Sequence, residues 1–117
     1  MLPNRMQLGR RTEEQLKKLK IFTGLTPNVT ARIAFFRSIE SQFRYNNNEI
    51  EKNLDGSLVL DKITWLGETM NVTELLLKML YPKMTSKQLQ RAWAAHVEDG
   101  ISSLRNHKNI KDFLLSI

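Results

Sequence analysis

The segment at residues 20–40, KIFTGLTPNVTARIAFFRSIE, constrains this chain more than any other. Gly24 reads as the stop of one helix, because glycine takes the left-handed backbone of a helix end at little cost. Thr26 is placed to cap the next helix, its hydroxyl taking a free backbone N–H. Pro27 falls at the first helical position, where a missing N–H costs nothing. Val29, Ile33, Phe36 and Ile39 follow at helical spacing and mark one face. Ala31, Ala34 and Phe35 broaden that face. This second helix, from 27 to about 42, is therefore expected to be buried on two sides, which suits an oligomer interface.

Ahead of this hairpin, Arg5-Met6-Gln7-Leu8 alternates polar and apolar residues, with Leu2 in phase with Met6 and Leu8. The pattern predicts a short strand with Met6 and Leu8 inward and Arg5 and Gln7 on the other face. So short a strand must find a partner. Thr12-Glu13-Glu14-Gln15 then reads as a capping box opening the first helix. Leu16, Leu19 and Phe22 are expected in its core, and Lys17, Lys18 and Lys20 on flanking or outer positions.

Beyond the hairpin, Asn46-Asn47-Asn48 reads as a loop. Residues 53–67, with an Asp55-Gly56 turn signal, read as a short hairpin or extended segment. Asn-Val-Thr-Glu at 71–74 caps a third helix whose face is Leu75, Leu76, Met79 and Leu80, ended by Pro82. Thr85-Ser86-Lys87-Gln88 repeats the capping pattern and opens a long helix to about residue 105. Leu89, Trp93, His96, Gly100 and Leu104 share its stripe, with Val97 and Ile101 beside them. Gly100 inside a helix signals close packing or a break. A last helix at 110–115 docks Phe113 and Leu114. The expected fold class is mainly α: a short N-terminal strand, a ribbon-helix-helix-like hairpin and further packed helices. The 117 residues fit one domain, 1–117, with a basic half at 1–45 and a helical remainder at 46–117.

Charge divides the chain unevenly. Residues 1–37 hold eight Lys and Arg against Glu13 and Glu14, which accounts for the whole net charge of +6. The remaining residues balance. Such asymmetry points to a polyanion, nucleic acid first, with a merely solvated basic face as the plain alternative. The absence of cysteine excludes disulfides, thiolate metal sites and persulfide carriage on this chain. The five glycines form neither a P-loop nor a dinucleotide fingerprint, and His96 and His107 share no metal-binding spacing. His96, on an apolar face, reads as a packed core residue. No enzyme, cofactor or metal is expected. With no apolar signal core and no run long enough to span a bilayer, the expected location is the cytoplasm.

Strand, helix, glycine turn and capped helix is the order of a ribbon-helix-helix module, in which two chains pair strands into a ribbon that enters a DNA groove. Arg5 and Gln7 would then face base edges. Thr26, Asn28 and the free N–H groups at the start of the second helix would hold a phosphate. Arg10, Arg11, Lys17, Lys18, Lys20 and Arg32 complete the basic surface. Two other readings stand beside this one: a protein–protein assembly or regulatory module, and a ribbon-helix-helix repressor.

The stretches LPNRMQL, LKKLKIFTGLTPNVTARIAFFRSIE, TWLGE and RAWAAHVEDGISSLRN together resemble the DndE family, the small subunit associated with bacterial DNA phosphorothioation. The resemblance spans nearly the whole chain, and LKxxTGLTPN followed by RIA and SIE is its most specific part. It implies a self-assembling, tetrameric DNA-binding accessory protein that acts with the other subunits of the sulfur-modification system and has affinity for nicked duplex DNA. It supplies no catalytic motif.

Overall fold

Leu2, Met6 and Leu8 are all buried, as their period-two spacing predicts, while Arg5 between them is exposed. The computed structural model describes residues 1–46 and 53–104, so the expected last helix at 110–115 and Asn47-Asn48 lie outside the described residues. Strand β1 (Arg5–Met6) pairs antiparallel with β2 (Leu60–Asp61), Arg5 opposite Asp61 and Met6 opposite Leu60. The strand's need for a partner is thus met within the chain. Residues 53–59 form no local hairpin at Asp55-Gly56. They lie beside the first segment, with the Gly56 N–H donating to Leu8 O at 2.8 Å.

Helix α1 (Arg10–Thr23) begins ahead of the expected Thr12 cap. Gly9 occupies the cap position, and Asp55 supplies the oxygen Gly9 lacks, accepting the Arg10 N–H at 2.8 Å. Glu13, expected as a first-turn acid favoured by the helix dipole, has more specific partners. It is buried and accepts from Ser57 Oγ at 2.6 Å, the Leu58 N–H at 3.1 Å and Lys17 Nζ at 3.1 Å. Burial pushes its pKa up, but these donors outweigh it and hold the carboxyl below its ordinary value. The inward positions of α1 are Thr12, Leu16, Leu19 and Thr23. Because Thr23 takes the last of them, its hydroxyl on Leu19 O at 2.8 Å, Phe22 is left 46% exposed and outside the expected core. Gly24 ends the helix at φ 74°, in the left-handed region, as predicted.

Helix α2 (Pro27–Glu40) turns Thr30, Ala31, Ala34, Phe35 and Ser38 inward. The expected stripe of Val29, Ile33, Phe36 and Ile39 is only half-buried. The cause lies beyond Tyr81 and Pro82, in the long last helix of the described chain, Ser86–Leu104. A Cβ on its Gly100 would lie 2.7 Å from Ala34 Cα, nearer still to the Ala34 carbonyl. Helices this close need small residues between them, so the alanine face of α2 turns in and the bulky stripe moves to the flank. The stripe expected on the long helix, from Leu89 to Leu104, is buried throughout. Its capping box forms as predicted: the Thr85 N–H donates to Gln88 Oε1 at 2.9 Å and the Gln88 N–H to Thr85 Oγ1 at 3.3 Å.

Three short elements join the halves: α3 (Lys62–Leu66), a 3-10 turn (Gly67–Thr69) and α4 (Met70–Leu80); the long helix is therefore α5. Trp65 of α3 packs edge-on against Trp93 of α5 and donates from Nε1 to Met6 O at 2.8 Å. Helix α4 starts before the expected Asn71 cap, and Glu74 is used elsewhere, accepting the Leu2 N–H at 2.9 Å and facing Lys62 Nζ at 3.4 Å. That orientation puts Thr73 and Leu77 inward. Leu75 and Met79, expected in the core, are exposed.

One polar path crosses the core. Ser38 Oγ donates to Asp99 Oδ2 at 2.8 Å, so the His96 Nδ1 only 2.8 Å from that oxygen must carry a proton and donate to it. His96 Nε2 is then the acceptor for the Tyr81 hydroxyl at 2.7 Å, which in turn accepts the Tyr45 N–H at 2.8 Å. His96 is fully buried, as the sequence predicts. Burial, aided by the charge of Arg44, lowers its pKa from 6.5 to about 4.

Two outcomes follow from this packing. Gly100→Ala should cost roughly 3 kcal/mol in urea unfolding, since the added methyl meets backbone and not a flexible side-chain end. The unfolded chain binds a proton on His96 below pH 6.5 and the folded chain only near pH 4. Stability should therefore fall as pH drops through that window, by up to about 1.4 kcal/mol per pH unit. His96→Gln, less stable at every pH, should lose that slope between pH 6 and 5; an unchanged slope would assign it to other groups.

Candidate nucleic-acid interface

The ten residues expected to meet DNA separate into two groups in space. In the first, side chains are engaged by the fold. Arg5 Nη1 lies 3.2 Å from Asp61 Oδ1 and Nη2 donates to Val59 O at 2.9 Å. Both partners of that ion pair are well exposed, so it is worth at most about 1 kcal/mol and holds Arg5 weakly. Gln7 Nε2 donates to Gly56 O at 3.1 Å. Arg5 and Gln7 therefore brace the segment ahead of β2, Gln7 half-buried and Arg5 exposed.

Helix α2's amino end is similarly committed. The Thr26 hydroxyl donates to Asn28 Oδ1 at 2.5 Å, with no side-chain cap to the backbone. Asn28 Nδ2 then donates to Thr64 O at 3.1 Å. Arg32 donates from Nε to Trp65 O at 2.8 Å and from Nη2 to Thr64 O at 3.0 Å, capping the carboxyl end of α3. Gly67, at φ 53°, lets the chain pass against that guanidinium, where a Cβ would lie 2.7 Å from Nη2. Asn28 and Arg32 tie α2 to α3.

The second group is on α1, where Arg10, Arg11, Lys17, Lys18 and Lys20 are all exposed. Helical spacing arranges this surface in two ridges, Arg11-Gln15-Lys18-Phe22 and Arg10-Glu14-Lys17-Ile21, with Lys20 to one side. Lys17 is held by Glu13, while the side chains of Arg11, Lys18 and Lys20 have no ion pair among the described residues. Arg10 and Arg11 stand in the first turn, where the helix dipole disfavours cations. Their placement does not serve the stability of the helix.

Sequence reasoning missed two contributors to this surface. Arg44, just after α2, shares with Arg10 and Arg11 the wall of a cleft of about 1010 Å³ that also includes Asp55 and Asp99. Ile21 and Phe22 give the basic face an apolar end. The inward series Thr12, Leu16, Leu19, Thr23 was the signal that would have placed Phe22 outside.

Over residues 5–112 the chain matches the family described as DNA sulphur modification protein DndE. It is similar to the crystal structure of DndE from Escherichia coli B7A, described as involved in DNA phosphorothioation modification. Identity is 68%, the match covers 89% of this chain and 100% of that one, and the TM-score is 0.87. It is also similar to a mutant DndE with two glycine-to-lysine substitutions, at 67% identity, 87% and 97% coverage and a TM-score of 0.82. No curated protein matches it. The family match takes in β1, the α1–α2 hairpin and α5 together, and the chain belongs to the DndE family.

Proposed function

We propose that this chain is a non-catalytic, DNA-binding accessory subunit of DNA phosphorothioate modification. It acts in the cytoplasm as a homo-oligomer, a tetramer by family resemblance, alongside the other sulfur-modification subunits. The observation that carries the reading is the set of exposed cations on α1 that have no ion pair among the described residues, Arg11, Lys18 and Lys20, beside Arg10. Exposed cations along one helix suit the phosphate backbone of duplex DNA, intact or nicked, and carry no base-reading geometry. The repressor reading loses support because β1 pairs in its own chain and Gln7 is engaged. The assembly-module reading keeps one specific support, the exposed apolar side of α4.

The test is affinity against salt on intact, nicked and single-stranded DNA of one sequence. Arg11→Gln, Lys18→Gln and Lys20→Gln should each weaken binding. Each should also reduce the slope of log affinity against log salt by about 0.9 for every phosphate no longer neutralised. Lys17 is excluded from this set because it partners the buried Glu13, so its reversal would test the fold. Unchanged slopes in all three variants would leave α1 a solvated face and favour the assembly module.

A further inference from the structure

The cleft of about 1010 Å³ beside the start of α1 lies at the upper end of the roughly 300–1,000 Å³ that small-molecule sites occupy. Arginines reach its wall from three parts of the fold: Arg10 and Arg11 from α1, Arg44 from the segment after α2, and Arg91 from α5. Arg44 is exposed and bends back on its own loop, Nη1 donating to Ser41 O at 3.1 Å and to Phe43 O at 2.5 Å. Its Nε and Nη2 have no hydrogen-bond partner among the described residues. Phe43 and Tyr45, on either side of Arg44, bring ring surface to the same cleft. Phe43 packs edge-on against His96 at 5.0 Å and Tyr45 against Tyr81 at 6.5 Å, while the Tyr45 N–H donates to the Tyr81 hydroxyl. The buried network therefore sets this loop before any ligand arrives, which removes an ordering cost from binding. Carboxylates complete the wall: Asp55 accepts the Arg10 N–H and Asp99 the Ser38 hydroxyl, with Glu14 and Glu98 the others.

Acids among the arginines disfavour a bare anion. They suit a ligand with a phosphate at one end and hydroxyl or amino donors at the other. A flat base suits the two rings, since any base can stack on aromatic surface. We infer that this cleft binds a nucleoside monophosphate, its phosphate on Arg44 and the arginines of α1 and its base against Phe43 and Tyr45. Guanidinium groups fit that phosphate because their planar fork matches its oxygens in pairs. The chemistry is shared by a free nucleotide and by the terminal nucleotide of a DNA strand. The inference goes beyond the proposed function, which concerns the duplex backbone along α1, and does not depend on it.

Isothermal titration calorimetry of the full chain with adenosine monophosphate, adenosine and inorganic phosphate tests it, with no duplex present. Adenosine monophosphate should bind at least about tenfold more tightly than either fragment, since each fragment lacks one end of the contact. Arg44→Gln, at an exposed position, should weaken that binding about tenfold. Ala95→Trp, which puts an indole into the cleft from α5, should abolish it, with circular dichroism as the check on folding. Equal affinity for adenosine monophosphate and adenosine, or unchanged affinity in Arg44→Gln, overturns the site whether or not Ala95→Trp folds. Competition separates the sources. Displacement by a single-stranded oligonucleotide with a terminal phosphate, but not by the same strand with a terminal hydroxyl, assigns the strand end. Displacement by neither assigns the free nucleotide. Displacement by both puts backbone phosphate in the cleft and overturns the nucleotide assignment. Because these titrations contain no duplex, their failure leaves the DNA reading standing, and unchanged salt slopes on duplex DNA leave this site standing.

Discussion

The approach of Ala34 to Gly100 sets the distance between α2 and α5, the most extensive helix pair among the described residues. Two backbones this close exclude any larger side chain between them. The small residues of α2 therefore face α5, and Ile33, Phe36 and Ile39 are displaced to the flank, where they are half-buried. The same rotation points Arg32 and Asn28 at the carboxyl end of α3, whose last carbonyls they satisfy. Asn28 and Arg32, expected from the sequence at a nucleic-acid contact, also cap a neighbouring helix in this fold.

Polar groups in the core carry a second constraint. Ser38 on α2, His96 and Asp99 on α5, and Tyr81 after α4 form one ordered chain of hydrogen bonds ending at the Tyr45 backbone. Each member has one donor direction that satisfies the next, so the network tolerates one helix register and one histidine tautomer. Phe43 covers the ring edge-on from the loop after α2. That loop also carries Arg44 to the cleft beside α1, which links the core's polar order to the position of a surface cation.

Legibility from sequence followed the range of the interactions concerned. The helix stop at Gly24, Pro27 at the start of α2, the Thr85–Gln88 box and the buried stripe of α5 depend on neighbours within one or two turns, and all were readable. Glu13, Glu74 and Arg32 have partners between 32 and 72 residues away. Local pattern assigned Glu13 to the helix dipole, Glu74 to a cap and the arginine to a basic surface. The faces of α2 and α4 were misjudged for a related reason: periodicity gives the direction of an apolar stripe but not which of two apolar sides meets the core. The exposure of the cations on α1 was legible because the other face of that helix is plainly apolar.

The bridge from α1 to residues 55 and 56 has a chemical consequence. An aspartate followed by glycine is prone to spontaneous cyclisation, in which the glycine nitrogen attacks the aspartate side-chain carbonyl, water leaves, and the backbone rearranges through the succinimide. In this fold the Gly56 N–H is bound to Leu8 O and the Asp55 carboxylate holds the Arg10 N–H, so nucleophile and electrophile are both restrained. The contact that starts α1 thereby also slows ageing of the chain at this bond, one of its two Asp-Gly pairs with Asp99-Gly100.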